Sequence, residues 1–206
     1  PVSVFFSVNN LKDVLVVFEK ISELFQDRIL AFELIKNTGI NFIKETGFLI
    51  NNPFTKNTTW MVLMEIDVNI GPISLKESVE QILYDFILNN KIVEVFIANT
   101  LNQRDEFWKI RELIPSANRR KGSICSNDIS VPVEKIPEFI AKLDRSISSF
   151  SNDILVNCFG HVGDGNLHYN IFSSSEDKRH DLETKRLEIL NIVNNLVNKY
   201  SGSISA

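Results

Sequence analysis

Strands and single helices alternate along this whole sequence, which predicts one domain of mixed α and β structure. Three observations carry that expectation. Short runs of β-branched and aromatic residues recur from the first residues to the last. Most are followed by apolar residues at helical spacing. No Pro/Gly/Ser-rich linker divides the 206 residues, a length that can bury a sizeable core.

Val2–Val8 alternates as a strand does, and Asn10 then caps a helix striped by Leu11, Val14, Leu15, Phe18, Ile21 and Phe25. Arg28–Ile35 reads as a strand and Asn37–Glu45 as a short helix, before a loop at Asn51-Asn52-Pro53. Thr58–Asn69 is a long strand. Ser74 and Glu77 form a capping box for a helix that carries Val79, Ile82, Leu83, Phe86 and Ile87 on one face. Lys91–Ala98 is extended, and Arg104–Ile114 is helical. Pro115 is expected to bend or end that helix, because its ring disfavours the hydrogen bond to the carbonyl of Arg111. Ser123–Val131 is extended, and Ile136, Phe139, Ile140, Leu143 and Ile147 stripe the next helix. Asp153–Gly163 and Asn166–Phe172 form two strands, one long helix runs over 176–200, and Ser203–Ala206 begins another strand.

The net charge of −4, with no basic stripe, argues against a nucleic-acid partner. No apolar run reaches the length of a transmembrane segment, and no signal-peptide pattern opens the chain. Cys125 and Cys158 are too few and too distant for a disulfide framework, which makes a cytoplasmic setting the default. No G-x-G-x-x-G and no P-loop occurs, so a nucleotide cofactor would find no phosphate cradle here. Opening on Pro1 and closing on SGSISA, the chain reads as a piece of something larger.

Residues 158–172, CFGHVGDGNLHYNIF, hold two of the three histidines. Asp164-Gly165 is a two-residue turn signal, because such turns want positive φ at both central positions. With that turn, Val162 opposes Leu167 and His161 opposes His168. Val162, Leu167, Tyr169 and Ile171 then face the core, while His161, His168, Asn166 and Asn170 share the other face. Two directly opposed imidazoles can converge on one divalent ion. They can equally be two surface histidines beside a turn, and no third ligand is in view; His180 reads as a solvated residue at the start of the last helix.

The stretch GHVGDGNLHYN resembles the signature of the C-terminal substrate domain of FAD-linked oxidases. FWKIRELIPSANRRKG, NDISVPVEKIPEFI, ILAFELI and the closing SGSISA resemble further segments of that family, in the same order. The resemblance implies an α+β fold: a large antiparallel sheet with helices packed on one face and an open face that caps the flavin. It implies that residues 1–206 are one substrate domain, that FAD is bound mainly by a separate domain absent here, and that the chain stops inside the substrate domain. The implied enzyme is an FAD-dependent dehydrogenase of small 2-hydroxy acids, inactive as an isolated fragment and cytoplasmic, compatible with peripheral attachment to the inner membrane.

By the same resemblance, His161 and His168 hold a divalent metal such as zinc together with a glutamate that would follow Ala206, so that metal binding by this chain alone is weak. His168 assists removal of the hydroxyl proton, Arg111 grips the substrate carboxylate and Asn170 holds substrate or flavin. Two departures stand out: Ser126 replaces a lysine, and Pro115 replaces a threonine that dicarboxylate-using members carry. Both point to a smaller acid of the D-lactate or glycolate type. The competing reading is a non-catalytic remnant or partner-binding module of the same fold.

Overall fold

The computed structural model describes residues 1–68 and 74–205, and side chains for these except Ser74. The expected Ser74–Glu77 box and the strand positions of Asn69 and Ala206 therefore lie outside the described residues; within them the strand expected over Thr58–Asn69 spans Trp60–Ile66. In chain order the elements are β1 (Val2–Val8), α1 (Leu11–Phe25), β2 (Ile29–Lys36), α2 (Asn37–Glu45), β3 (Trp60–Ile66), α3 (Ser74–Leu88), β4 (Glu94–Ile97) and α4 (Leu101–Lys121). There follow β5 (Cys125–Ser130), α5 (Ile136–Phe150), β6 (Ile154–His161), β7 (Asn166–Ser173), α6 (Glu176–Thr184), α7 (Arg186–Lys199) and β8 (Ser203–Ser205).

The strands form one sheet in the order β4-β1-β3-β2-β6-β7-β5-β8. Every neighbouring pair is antiparallel. The main helical layer lies on one face, as the family resemblance implies. There α1 buries Leu11, Val14, Val17, Ile21 and Phe25, and α5 buries Ile136, Phe139, Ile140, Leu143 and Ile147. Val79 and Leu83 of α3 and Ile189, Val193 and Val197 of α7 join the same core.

A second, smaller core lies on the other face. Ile40, Phe42 and Ile43 of α2 and Phe107, Ile110, Ile114 and Ala117 of α4 pack there on Phe5, Ile35, Met61, Leu63, Phe159 and Phe172. This second layer explains why β1 and β3 are buried along their whole length, Phe5 facing one core and Val4 and Phe6 the other. Full burial of such a side chain contributes about 1.5–3 kcal/mol, so both layers matter to stability.

Helix α4 differs most from expectation. It starts at Leu101, where Thr100 and Gln103 make a reciprocal capping box, and it continues six residues past Pro115 to Lys121. Pro115 neither ends the helix nor outweighs its anchorage. Arg104 clamps Glu65 of β3 through two bonds, Nε to Oε1 at 2.6 Å and Nη2 to Oε2 at 3.1 Å. Ser3 Oγ adds a third bond to that carboxylate at 2.5 Å. Seven residues on, and so on the same helical stripe, Arg111 pairs with Glu33 of β2. The strand expected over Lys91–Ala98 shortens to β4, and the single helix expected over 176–200 breaks at Lys185 into α6 and α7. Among the described residues no helix is long and apolar enough to cross a membrane.

Burial pushes the Glu65 carboxyl upward, but the bonds from Arg104 and Ser3 outweigh it and hold it below its ordinary 4.5. A depressed carboxylate stabilises the fold above that ordinary value, and the contribution is lost as pH falls through the depressed one. Glu65→Gln should therefore flatten the loss of stability in the acid range. Urea unfolding of both proteins at stepped pH below about 5 checks this.

Candidate functional site

The histidine hairpin is wider than a two-residue turn. After His161 the chain makes a 3₁₀ turn at Val162–Asp164 and re-enters the sheet at Asn166. Gly165 N–H donates to the Val162 carbonyl at 3.0 Å, and Val131 N–H donates to the Gly165 carbonyl at 3.0 Å. Gly165 sits at φ +68, and a Cβ there would lie 2.0 Å from the Val131 carbonyl oxygen. Gly160 lets the strand pass against the backbone of Asn166, whose oxygen would meet its Cβ at 2.2 Å.

The register moves accordingly. His168 stands opposite Phe159 on one side and Asp128 on the other, and His161 stands opposite Glu33 rather than His168. Because the slip is by two residues, the expected division of faces survives. Val162, Leu167, Tyr169 and Ile171 enter the larger core, and His161, His168 and Asn170 share the other face.

On that face a cleft of about 260 Å³ opens beside α4. Arg111, Arg119, Asp128, Phe159, His168 and Asn170 line it. Phe159 is its platform, with the Arg111 guanidinium carbon 4.7 Å from the ring centre and the His168 ring centre also 4.7 Å away. Asn170 is buried, and its Nδ2 donates to the His168 carbonyl at 3.3 Å. Three of the four residues expected at the site, Arg111, His168 and Asn170, therefore meet in one cleft. His161 is not among its lining residues; it borders a neighbouring hollow with Phe32 and Asp164.

Two carboxylates set the orientation of these groups. His168 Nδ1 lies 2.6 Å from Asp128 Oδ1, and His161 Nδ1 contacts Glu33 Oε1. A carboxylate only accepts, so each Nδ1 carries the proton and each Nε2 is the nitrogen left for a ligand. Glu33, only 1% exposed, also accepts from Arg111 Nε at 2.8 Å through its other oxygen. That bond uses Nε, and among the described residues no hydrogen bond engages the two terminal nitrogens of Arg111. Sequence reasoning named neither acid as a site residue. The available signal was an ionisable residue inside an otherwise apolar strand, Glu33 in ILAFELI, where burial demands a partner.

As they stand, these residues do not form a complete metal site. The two imidazole ring centres are 6.5 Å apart, whereas rings sharing a tetrahedral ion with bonds of about 2.0–2.1 Å sit about 5 Å apart. Among the described residues no group of three His, Cys, Asp or Glu side chains is placed to hold an ion. Thiol chemistry fits no better: Cys125 and Cys158 are both buried, and burial raises both thiols.

Residues 2–206 match the family described as FAD linked oxidases, C-terminal domain. The chain belongs to that family. Over 177 residues, 85% of this chain and 30% of the relative, it is 29% identical to a mitochondrial D-2-hydroxyglutarate dehydrogenase of Arabidopsis thaliana. It is also 29% identical to the D-2-hydroxyglutarate dehydrogenase of Stutzerimonas stutzeri, over 88% of this chain and 39% of that protein. The chain thus spans about a third of the length of these relatives. An alkyldihydroxyacetonephosphate synthase structure aligns over the whole chain and 41% of its own, with a TM-score of 0.61 and 11% identity, a likeness of fold alone. As a domain of FAD-linked oxidases, the chain has the antiparallel sheet and helical layer that the GHVGDGNLHYN signature implied.

The tight turn generates a direct test. Gly165→Ala should destabilise the protein by about 2 kcal/mol or more, since it combines positive φ with a clash against backbone. Denaturant unfolding of the variant checks it.

Proposed function

We propose that this domain binds a small 2-hydroxy acid in the α4 cleft and presents it to a flavin held mainly by another domain. The observation that supports this reading is the convergence of an arginine, an anchored imidazole and a buried amide over one aromatic platform. In this reading the terminal nitrogens of Arg111 receive the substrate carboxylate as a planar fork, while Glu33 holds the guanidinium from behind. His168 accepts the hydroxyl proton at Nε2, and Asp128 stabilises the imidazolium that results. Asn170, fixed by its own hydrogen bond and its burial, orients the substrate or the flavin edge. FAD, when bound, supplies the acceptor for the C2 hydride.

The relatives' names speak of D-2-hydroxyglutarate, a dicarboxylate. In this chain the cleft wall carries Ser126 where many members have a lysine and Pro115 where dicarboxylate-using members have a threonine, and Ser126 Oγ is engaged with Ser123 Oγ at 2.8 Å. That wall suits a smaller acid of the D-lactate or glycolate type. No step of the reading passes through a metal.

The test is dye reduction by D-lactate, with the protein assayed together with a flavin-binding domain. His168→Ala should lower kcat by about 10²–10⁴-fold at unchanged flavin content, the range typical of a general base. Arg111→Lys should raise KM about 10–100-fold, the loss expected when charged hydrogen bonds to a carboxylate are removed. Undiminished turnover in the His168 variant would overturn the reading.

A further inference from the structure

One carboxylate serves two cationic or proton-bearing partners here. Glu33 gives Oε2 to Arg111 Nε at 2.8 Å and Oε1 to His161 Nδ1. It is 1% exposed and so shielded from bulk solvent, and its position is set by register: Leu63 is its neighbour on β3 and His161 its neighbour on β6. Arg111 reaches it from α4 above the sheet, with its guanidinium over Phe159. His161 itself is half exposed, lies outside the lining of the substrate cleft and stands edge-on to His168 at 6.5 Å.

We infer that Glu33 is a positioning residue that couples the carboxylate clamp to His161. The inference rests on the reading that Arg111 takes the substrate carboxylate. An anion arriving at the terminal nitrogens of Arg111 competes with Glu33 for the guanidinium's charge. In a dry setting that competition is felt strongly, because little solvent screens it. Glu33 then leans its charge on its other partner, the Nδ1–H of His161. The imidazole becomes more electron-rich at Nε2, on the face it shares with His168. Substrate arrival is thereby reported to a ring that the substrate's carboxylate does not touch. Asp128 plays no part in this link, since it contacts His168 alone of the two histidines.

The chemistry of Glu33→Gln makes the claim testable without flavin or metal. Arg111 Nε can only donate, so it takes the amide oxygen of the replacement. The amide NH₂ then faces His161 Nδ1, which must accept, and the ring proton moves to Nε2. In ¹⁵N NMR of the 206-residue chain with a chelator present, His161 should change from the Nδ1–H to the Nε2–H tautomer, with His168 unchanged. D-lactate added to the unaltered protein should shift both the Arg111 Nε–H and the His161 ring signals; in Glu33→Gln the Arg111 shift should persist and the His161 shift should vanish.

Arg111→Lys gives a second route if Glu33→Gln does not fold. It removes the Nε–H bond to Oε2, so the His161 Nδ1–H signal should shift before any ligand is added. A His161 ring that keeps its tautomer in Glu33→Gln, or that is unmoved in Arg111→Lys, overturns the coupling. An Arg111 that ignores D-lactate overturns the substrate reading instead, while the tautomer result still decides whether Glu33 orients His161.

Discussion

The buried pair between Glu33 and Arg111 is the contact on which the cleft depends. Both residues sit almost out of water, at 1% and 9% exposure, one on a central strand and the other on the helix that roofs the second face. Removing two charges from water costs several kcal/mol per ion, so such a pair survives only where hydrogen bonds are well formed. Here the guanidinium has Phe159 beneath it, and the carboxylate has a second donor in His161. Loss of either partner would strand a buried charge, typically at about 3–5 kcal/mol. With Arg104 gripping Glu65 about two turns earlier on the same stripe, α4 is fixed to the sheet at two points, and the cleft lies alongside the second.

That anchorage also explains how α4 tolerates Pro115. A proline inside a helix removes one hydrogen bond and crowds the carbonyl four residues back, at about 3 kcal/mol. The helix has Ile110, Ile114 and Ala117 buried against the second core and arginine clamps at Arg104, near its start, and at Arg111, its midpoint. Packing of an amphipathic face, not local propensity, decides most helices in proteins. The carbonyl that Pro115 cannot serve belongs to Arg111, so the local disturbance falls at the residue whose side chain enters the cleft.

Much of this was legible in the sequence, and what was not has specific causes. Period-two strands and apolar stripes located nearly every element, because both signals reflect which side of an element is buried. The face shared by His161, His168 and Asn170 was legible for the same reason: parity survives any slip by two. Register was not, because it depends on the 3₁₀ turn at Val162–Asp164 and on the backbone contact at Gly160. Both are long-range or conformational facts that a turn dipeptide does not encode. The breadth of α4 was missed because a single proline was read locally, although Thr100 and Gln103 carried the capping signal. Glu33 and Asp128 were missed because each is one acid among many in the sequence, and only β-pairing with histidine-bearing strands gives them a role.

The two imidazoles illustrate how burial turns a common contact into a functional one. His168 donates its Nδ1–H to Asp128, an acid more than half exposed, so solvent screens that contact. Its effect is local: it fixes one ring. His161 leans on an acid that solvent does not reach, and that acid is shared. In a medium of low effective dielectric, a change at one partner of a shared carboxylate is not absorbed by water and must appear at the other. The sheet supplies this condition by covering Glu33 with α4 while leaving His161 half open at the strand's end. A charge placed one residue earlier or later on β2, at Phe32 or Leu34, would face the larger core, where apolar side chains surround it. The strand's alternation therefore selects Glu33 as the position from which the arginine and the histidine can be held together.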